Sequence, residues 1–429
     1  MIAYTPYEMD ARVKRAVEAL VERGHHVDLF AVSQEGIRPA RNSGLLRIYR
    51  LRMRKRRTAA TRYAFEYGGF FAWAITLVSF RQLWRRYHVV YVHNMPNFLV
   101  FAGLVPKLAG AKIVLDIHDP AAELLACIRE RELPRWLRRL VAGEERISMS
   151  FADALITVNE PMRQRLSTTA RSPVAVVMNL PDPAVFGPHE ASRPPGGGQC
   201  LVYSGTIALR NGLDLVVRAL SLLAAEFPEL RFRIIGEGPA IESVRRLAEQ
   251  EGVGDRVEFR GFVSHHDIPA AVSGAVAGIS AQREDAFGAL VFSVKVAEYV
   301  ALGLPVICSG TATMRHYFDD DEMLFFAPAN PADLARAIRE LLADPAAADE
   351  RARKSQVKLG QLGWSAQKQA LVEAVEKLAG PARLRSRARP ESLTGTDPQS
   401  AGRRTEGQDD HEHVHAEFSG PVRRRDDPR

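Results

Sequence analysis

In FSVKVAEYVALGLPVI, residues 292–307, a lysine and a glutamate stand three positions apart. The stretch reads as a short helix running into a strand. Val294, Ala297 and Ala301 recur at helical spacing, with Val296 and Val300 beside them, and mark a buried face. Ser293 stands where a cap belongs. Gly303 stops the helix, Pro305 prevents its return, and VICS is a short buried strand. Lys295 and Glu298 fall outside that buried pattern. They share one side of the helix within its first two turns. A cation near a helix start adds to the positive end of the helix dipole and suits an anion. A carboxylate one turn further on accepts hydrogen bonds from a diol such as a ribose. The alternative is a local Lys–Glu ion pair on a solvated face.

Other loops carry compatible chemistry. SGTIALRNG (204–212), IIGEGP (234–239), RGFV (260–263) and REDAFGALVFSVK (283–295) all follow strand-like runs. Gly205 and Gly288 let backbone N–H groups approach an anion closely, and Gly236 stands in an equivalent turn. Arg210 and Lys295 bring positive charge from two different loops, which suits a diphosphate. Several other site classes lack their signatures. There is no G-x-G-x-x-G after a first strand, no G-x-x-x-x-G-K-[ST], no H-E-x-x-H and no G-x-S-x-G. Cys127, Cys200 and Cys308 are too widely spaced to read as a disulfide framework or zinc knuckle, and a reducing cytosol is expected. HEHVH (411–415) reads as a solvated tail or a loose metal ligand.

The elements that must position these loops alternate throughout. Of the 429 residues 46% are hydrophobic, enough for two sizeable cores. HHVDLFAV, HVVYVHN, AKIVLDIHD, ADALITVN and VAVVMN read as strands in the first part, separated by helical runs. Only MIAYT precedes the first loop, so the first strand reads as shortened or as a weak edge. CLVYSG, RFRIIG, VEFRGFV, AVAGIS and PVICSG read as strands in the second part, with NPADLARAIRELLAD as a last helix. Strand–helix alternation with short connections predicts parallel sheets covered on both faces, with ligands beyond the C-terminal strand ends. The expected organisation is a first domain over 1–179, a Pro/Gly-rich linker over 180–199, a second domain over 200–380, and a disordered tail over 381–429.

The formal charge is +7, which suits anionic partners. It is concentrated in RIYRLRMRKRR (47–57), followed by the aromatic run 63–86. That pairing fits either a charged loop before a core helix or a segment lying on an anionic membrane surface. Glu66 and Gly68-Gly69 argue against a membrane crossing. No nucleic-acid reading motif accompanies the basic run, and no apolar leader opens the sequence.

Taken in order, these pieces resemble the GT-B glycosyltransferases, nearest to retaining family GT4. YSGTIALRNGLDL, RFRIIGEGP, RVEFRGFVSHHDIP and KVAEYVALGLPVI resemble the donor domain. DARVKRAVEALVERGHHVDLF, VVYVHNMPNFLVFAGL, KIVLDIHD, FADALITVNEPMRQRL and VVMNLPD resemble the acceptor domain. The resemblance implies an α/β fold of two Rossmann-like domains facing across a cleft. It implies that Arg210 and Lys295 clamp the donor diphosphate, that Glu298 binds the ribose, and that Phe262 and Val263 meet the base. Phe287 and Gly288 would place backbone N–H groups near the diphosphate and sugar, with the glycine loops at Gly205 and Gly236 around them. His118 would hydrogen-bond the transferring sugar, Asp119 would shape its loop, and His93 and Asn94 would face the acceptor. Many relatives carry an acidic residue seven or eight positions before Glu298; this sequence has Val291 and Leu290 there.

The expected activity is transfer of a sugar from a nucleotide-diphosphate sugar to an acceptor hydroxyl. The acceptor is expected to be lipid-linked or part of a polysaccharide, with retention, no metal and no cofactor. Cytoplasmic placement, peripheral to the inner membrane face, follows from that reading. A GT-B-like epimerase or phosphorylase, or a non-catalytic scaffold in polysaccharide assembly, are the alternatives.

Overall fold

The computed structural model describes residues 1–34, 36, 39–53, 60–121, 123–125, 134–187 and 199–380. Most of the expected linker, the expected disordered tail with HEHVH, the basic positions 54–57 and Cys127 lie outside the described residues.

Two parallel sheets carry the fold. The first has seven strands: β1 (Ile2–Pro6), β2 (Val27–Ser33), β3 (Leu46–Arg52), β4 (Val89–His93), β5 (Lys112–Ile117), β6 (Ala154–Thr157) and β7 (Val174–Val176), in the order β3-β2-β1-β4-β5-β6-β7. Helices α1 (Ala11–Glu22), α2 (Ala60–Arg85), α3 (Leu104–Leu108), α4 (Arg135–Phe151) and α5 (Glu160–Ser167) connect them. The second sheet runs β10-β9-β8-β11-β12-β13, from β8 (Cys200–Ser204), β9 (Arg231–Ile235), β10 (Val257–Phe259), β11 (Ala277–Ser280), β12 (Val306–Ser309) and β13 (Leu324–Phe326). Its helices are α6 (Leu213–Leu222), α7 (Ile241–Gln250), α8 (Ile268–Val272), α9 (Val294–Ala301), α10 (Ala312–Tyr317), α11 (Pro331–Ala343), α12 (Pro345–Leu362) and α13 (Trp364–Ala379). In each sheet the strand order reverses at its first strand, β1 and β8. That reversal opens the crevice where doubly wound sheets bind ligands.

Sequence explains the layers. The central strands are apolar on both faces, as parallel sheets under helices require: Ile113, Val114, Leu115 and Ile117 of β5 are all buried. α2 seats Phe70, Ala74 and Val78, each four apart, in the core of the first sheet. Burying each of the larger two contributes about 1.5–3 kcal/mol. α1 covers the opposite face through Val13, Ala16, Val17 and Leu20.

Three expectations change. β1 is not a weak edge; it lies between β2 and β4, with Ile2 and Ala3 buried. The basic run 47–52 is not a free loop but part of β3, paired residue for residue with β2 from Leu46↔Val27 to Arg52↔Ser33. Leu46 and Ile48 pack on one face of the sheet and Tyr49 and Leu51 on the other, and Arg50 is bound by Glu8 at 2.7 Å. Edge position accounts for the remaining charge. Finally, the second lobe does not extend to 380. α13 returns to the first lobe, where Leu371, Val372 and Val375 join the core under α1, and Glu376 binds Arg23 (2.9 Å) and His25 (3.1 Å).

Candidate active site

The first-lobe wall is built at the ends of β4 and β5. Asp116, fully buried, accepts from Arg12 Nε (2.9 Å), Arg12 Nη2 (2.6 Å) and the Tyr91 hydroxyl (2.8 Å), and His93 Nδ1 lies 3.2 Å from it. Burial opposes ionisation of Asp116, but Arg12 and His93 outweigh it and hold the carboxyl far below the usual carboxylate range. Arg12 reaches this position because Asp10 caps α1, accepting from the N–H groups of Arg12 and Val13 at 3.1 Å. Its remaining nitrogen, Nη1, donates to the Val177 carbonyl at 2.8 Å.

His118 and Asp119 follow β5. The Asn94 amide ties them down: its Oδ1 accepts the His118 N–H (3.1 Å), and its Nδ2 donates to the Asp119 carbonyl (2.7 Å). Burial lowers the His118 pKa below the ordinary imidazole value, against the pull of Asp116 and Asp119. The ring is therefore neutral at pH 7, and its Nδ1 is buried with no partner among the described residues. His118 and Asp119 line a cavity of about 370 Å³ between the lobes, shared with Arg12, Phe287, Leu290 and Val294.

His93 and Asn94, expected to face the acceptor, are not among the residues lining this cavity. Both are buried, at 2% and 5% exposure. β4 turns His93 inward beside Asp116, and Asn94 spends both polar atoms on the His118 loop. They support the site rather than line it.

The second-lobe wall gathers Gly205, Gly236, Arg210, Lys295 and Glu298. Gly205 and Gly236 have φ of +137° and +134°. A Cβ on Gly236 would stand 2.0 Å from the Gly205 carbonyl oxygen, so the loops after β8 and β9 meet backbone to backbone. Lys295 lies in the first turn of α9 with Nζ 5.3 Å from the Tyr203 ring centroid; its Cε is 3.4 Å from where a Gly205 Cβ would be. Burial lowers the Lys295 pKa, Glu298 raises it, and Arg210 lowers it again. Burial likewise pushes Glu298 up to about 7, against Lys295 and, from α1 of the first lobe, Arg15. Among the described residues neither Lys295 nor Glu298 has an ion-pair partner. The solvated Lys–Glu pair is thus not what the helix holds. It holds a half-buried cation and a half-buried carboxylate that feel each other's charge without an ion-pair contact among the described residues.

Ser293 precedes α9 but does not cap it through its side chain; its hydroxyl meets Ser280 Oγ at 3.3 Å. Val294 lines the cleft, and Tyr299 takes the buried place instead, its hydroxyl accepting from the Ser204 N–H at 2.6 Å. Phe287 and Gly288 do reach the cleft region, but their N–H groups are occupied. Both donate to Asp285 Oδ1, at 3.0 and 2.7 Å. A side-chain carboxylate already sits where an anion was expected. Phe262 is 75% exposed beyond β10, and Val263 packs beside the core. Leu290 lines the cavity and packs against the first lobe, while its carbonyl accepts from Asn159 Nδ2 at 2.8 Å. Among the described residues no group of three or more His, Cys, Asp or Glu is placed to hold a metal ion.

His118 and Asp119 thus line the cavity from the first lobe, with Phe287, Leu290 and Val294 from the second, and Lys295 follows Val294 on α9. Comparison with known proteins decides the family. Residues 9–180 match the glycosyl transferase 4-like domain, and residues 189–358 match glycosyl transferases group 1. The chain belongs to the group 1 glycosyltransferases. It is 25% identical to a 2-deoxystreptamine glucosyltransferase of Streptomyces kanamyceticus over 358 residues, covering 79% of this chain and 90% of that protein. It is 27% identical to a glycogen synthase of Mycobacterium tuberculosis over 227 residues, covering 52% of this chain but only 53% of that protein. The GT-B fold of this glycosyltransferase is shared with sucrose-phosphate synthase from Thermosynechococcus elongatus (TM-score 0.71, 19% identity, 88% of this chain and 98% of that one). It is also shared with an Anabaena protein solved with UDP and glucose (TM-score 0.65, 12% identity, 87% and 98%).

Arg12, Asp116 and Tyr91 escaped the sequence reading. The signal was present for Arg12: an Asp two residues earlier fixes the helix start, and the arginine then falls on the sheet side of the first turn. Nothing local marks Asp116 as its partner, since the two are 104 positions apart.

Proposed function

We propose that this glycosyltransferase moves a sugar from a nucleotide-diphosphate sugar held by the second lobe to an acceptor hydroxyl held by the first. The observation that carries the reading is Lys295: a half-buried cation with no ion-pair contact among the described residues, at a helix start, beside a glycine loop and within reach of the Arg210 charge. Such a group stabilises the charge that develops on a departing diphosphate. Glu298, one turn on, accepts from the ribose diol. Phe262 offers its exposed ring to the base, with Val263 behind it.

The transferring sugar occupies the cavity under His118, whose neutral ring hydrogen-bonds a sugar hydroxyl. The bond from the anomeric carbon to the diphosphate oxygen breaks, and the acceptor oxygen forms the new bond on the same face. Because the new bond forms on the face that the diphosphate leaves, configuration is retained, and the acceptor proton passes to the departing phosphate. Lys295 and Arg210 supply the positive charge, and no metal is required. The acceptor is a hydroxyl on a lipid-linked or polysaccharide glycoconjugate, and the reaction takes place on the cytoplasmic side.

Incubation with UDP-, GDP- and ADP-sugars, each with and without a lipid-linked glycan acceptor, tests this. Expected are acceptor-dependent donor consumption, a product with the donor's anomeric configuration by proton NMR, and rates unchanged by EDTA. Donor isomerisation without acceptor would contradict transfer; inversion or EDTA inhibition would contradict the mechanism.

A further inference from the structure

The outward side of the first lobe carries a surface that transfer chemistry does not use. α2 and α4 cover one face of the first sheet on either side of the turn Asn97–Gly103, and α3 packs beside α2, tied to the end of α4 by Lys107 Nζ donating to the Phe151 carbonyl at 2.6 Å. Most of the exposed large apolar side chains among the described residues stand on these three helices.

On α2 the exposed stripe runs from Phe65 through Gly68, Ala72, Thr76 and Phe80 to Trp84, and no exposed position in it is charged. Its one hydroxyl, on Thr76, donates back to the Ala72 carbonyl at 2.7 Å, so the stripe offers water almost nothing. A helix facing solvent normally puts its charges there. At the C-terminal end Trp84 is 64% exposed, and on α3 Leu108 is 81% exposed. An apolar surface of this extent marks an interaction site.

α4 supplies the matching charge. Arg135, Arg138, Arg139 and Arg146 are exposed, interleaved with exposed Trp136, Leu140 and Ile147. Its two acids turn away from that side. Glu145 is buried against Arg165 at 2.8 Å, and Glu144 accepts from Asn97 and Ser148. The arginines are therefore not neutralised by their own helix. Aromatic and aliphatic side chains interleaved with arginine, beside an uncharged stripe, match the acyl boundary and the headgroup phosphates of an anionic bilayer.

We propose that the α2–α3–α4 face is a membrane-docking surface, with its apolar side chains at the acyl boundary and the α4 arginines on anionic headgroups. No helix among the described residues is long and apolar enough to cross a membrane, so docking is in the plane of the interface. The inference rests on this face alone and would stand if the donor chemistry failed.

Flotation of the full chain with phosphatidylcholine vesicles, with and without about a quarter phosphatidylglycerol, tests it. Expected is binding to the anionic vesicles that weakens with salt. Trp84→Ser with Leu108→Ser, and separately Arg138→Glu with Arg139→Glu, should each weaken binding by about tenfold or more while leaving the thermal melt in place. Absence of binding to anionic vesicles would overturn the proposal. So would binding that both double variants leave intact, which would put attachment elsewhere in the chain. A lipid-free dimer that the same variants dissolve would instead assign the face to a second copy.

Discussion

Arg12 grips Asp116 with two hydrogen bonds, 2.9 and 2.6 Å, two residues before His118 along β5. The pair fixes the floor of the first-lobe wall. Removing one partner leaves an uncompensated buried charge, so Arg12→Ala should lower unfolding free energy by about 3–5 kcal/mol in urea titrations. Arg12→Met combined with Asp116→Leu should lose less than either single change, because no lone charge remains.

His118 is held neutral by burial, and its loop is fixed by Asn94. His118→Ala should reduce turnover about a hundredfold with little change in donor affinity or melting temperature. Asn94→Ala should do the same less severely by loosening the loop. Steady-state kinetics beside calorimetric donor titration separates the two effects.

Glu298 gives a pH prediction. Its folded pKa of about 7 lies above its ordinary 4.5. The folded state therefore holds a proton that the unfolded state has lost, and stability falls as pH rises through that window. Glu298→Gln should raise the melting temperature at pH 8 by a few degrees, on the order of 1–3 kcal/mol, with the gain fading near pH 4.5. The same change should weaken donor binding about tenfold at pH 8, and wild-type affinity should decline as pH falls below about 7.

Gly236 tests the loop packing. Its Cβ would collide with the Gly205 carbonyl, and its φ is positive. Gly236→Ala should cost about 2–3 kcal/mol and weaken donor binding, read by thermal melts and donor titration of the same sample.

Much of the second lobe was legible because its information is local. Gly205 follows a strand, Lys295 opens a helix and Glu298 stands one turn on, where turn residues, a helix start and three-residue spacing announce themselves. The N–H groups of Phe287 and Gly288 were misjudged because the sequence does not say that Asp285 folds back onto them. The first lobe was harder. His93 and Asn94 look like exposed polar residues after a strand, yet one turns toward Asp116 and the other toward the His118 loop. Both placements depend on partners more than twenty positions away. The basic 47–52 run misled for a different reason. Its arginines read as a charged loop, whereas Leu46, Ile48, Tyr49 and Leu51 between them pack on both faces of an edge strand. The return of α13 to the first lobe has no local signal, since an amphipathic helix does not name the core it will join.

Lys295, with Arg210, is proposed to hold the donor diphosphate. Melting-temperature shifts of wild type and Lys295→Ala with UDP-, GDP- and ADP-sugars test it most directly. Saturation at about a hundred times Kd adds about 2.7 kcal/mol to the wild type. Burial opposes the Lys295 charge, so removing it should leave the ligand-free variant about as stable as the wild type. Wild type should shift clearly upward with one nucleotide class, and Lys295→Ala should not shift. A variant that keeps the full shift, or one that unfolds without ligand, would contradict that role for Lys295.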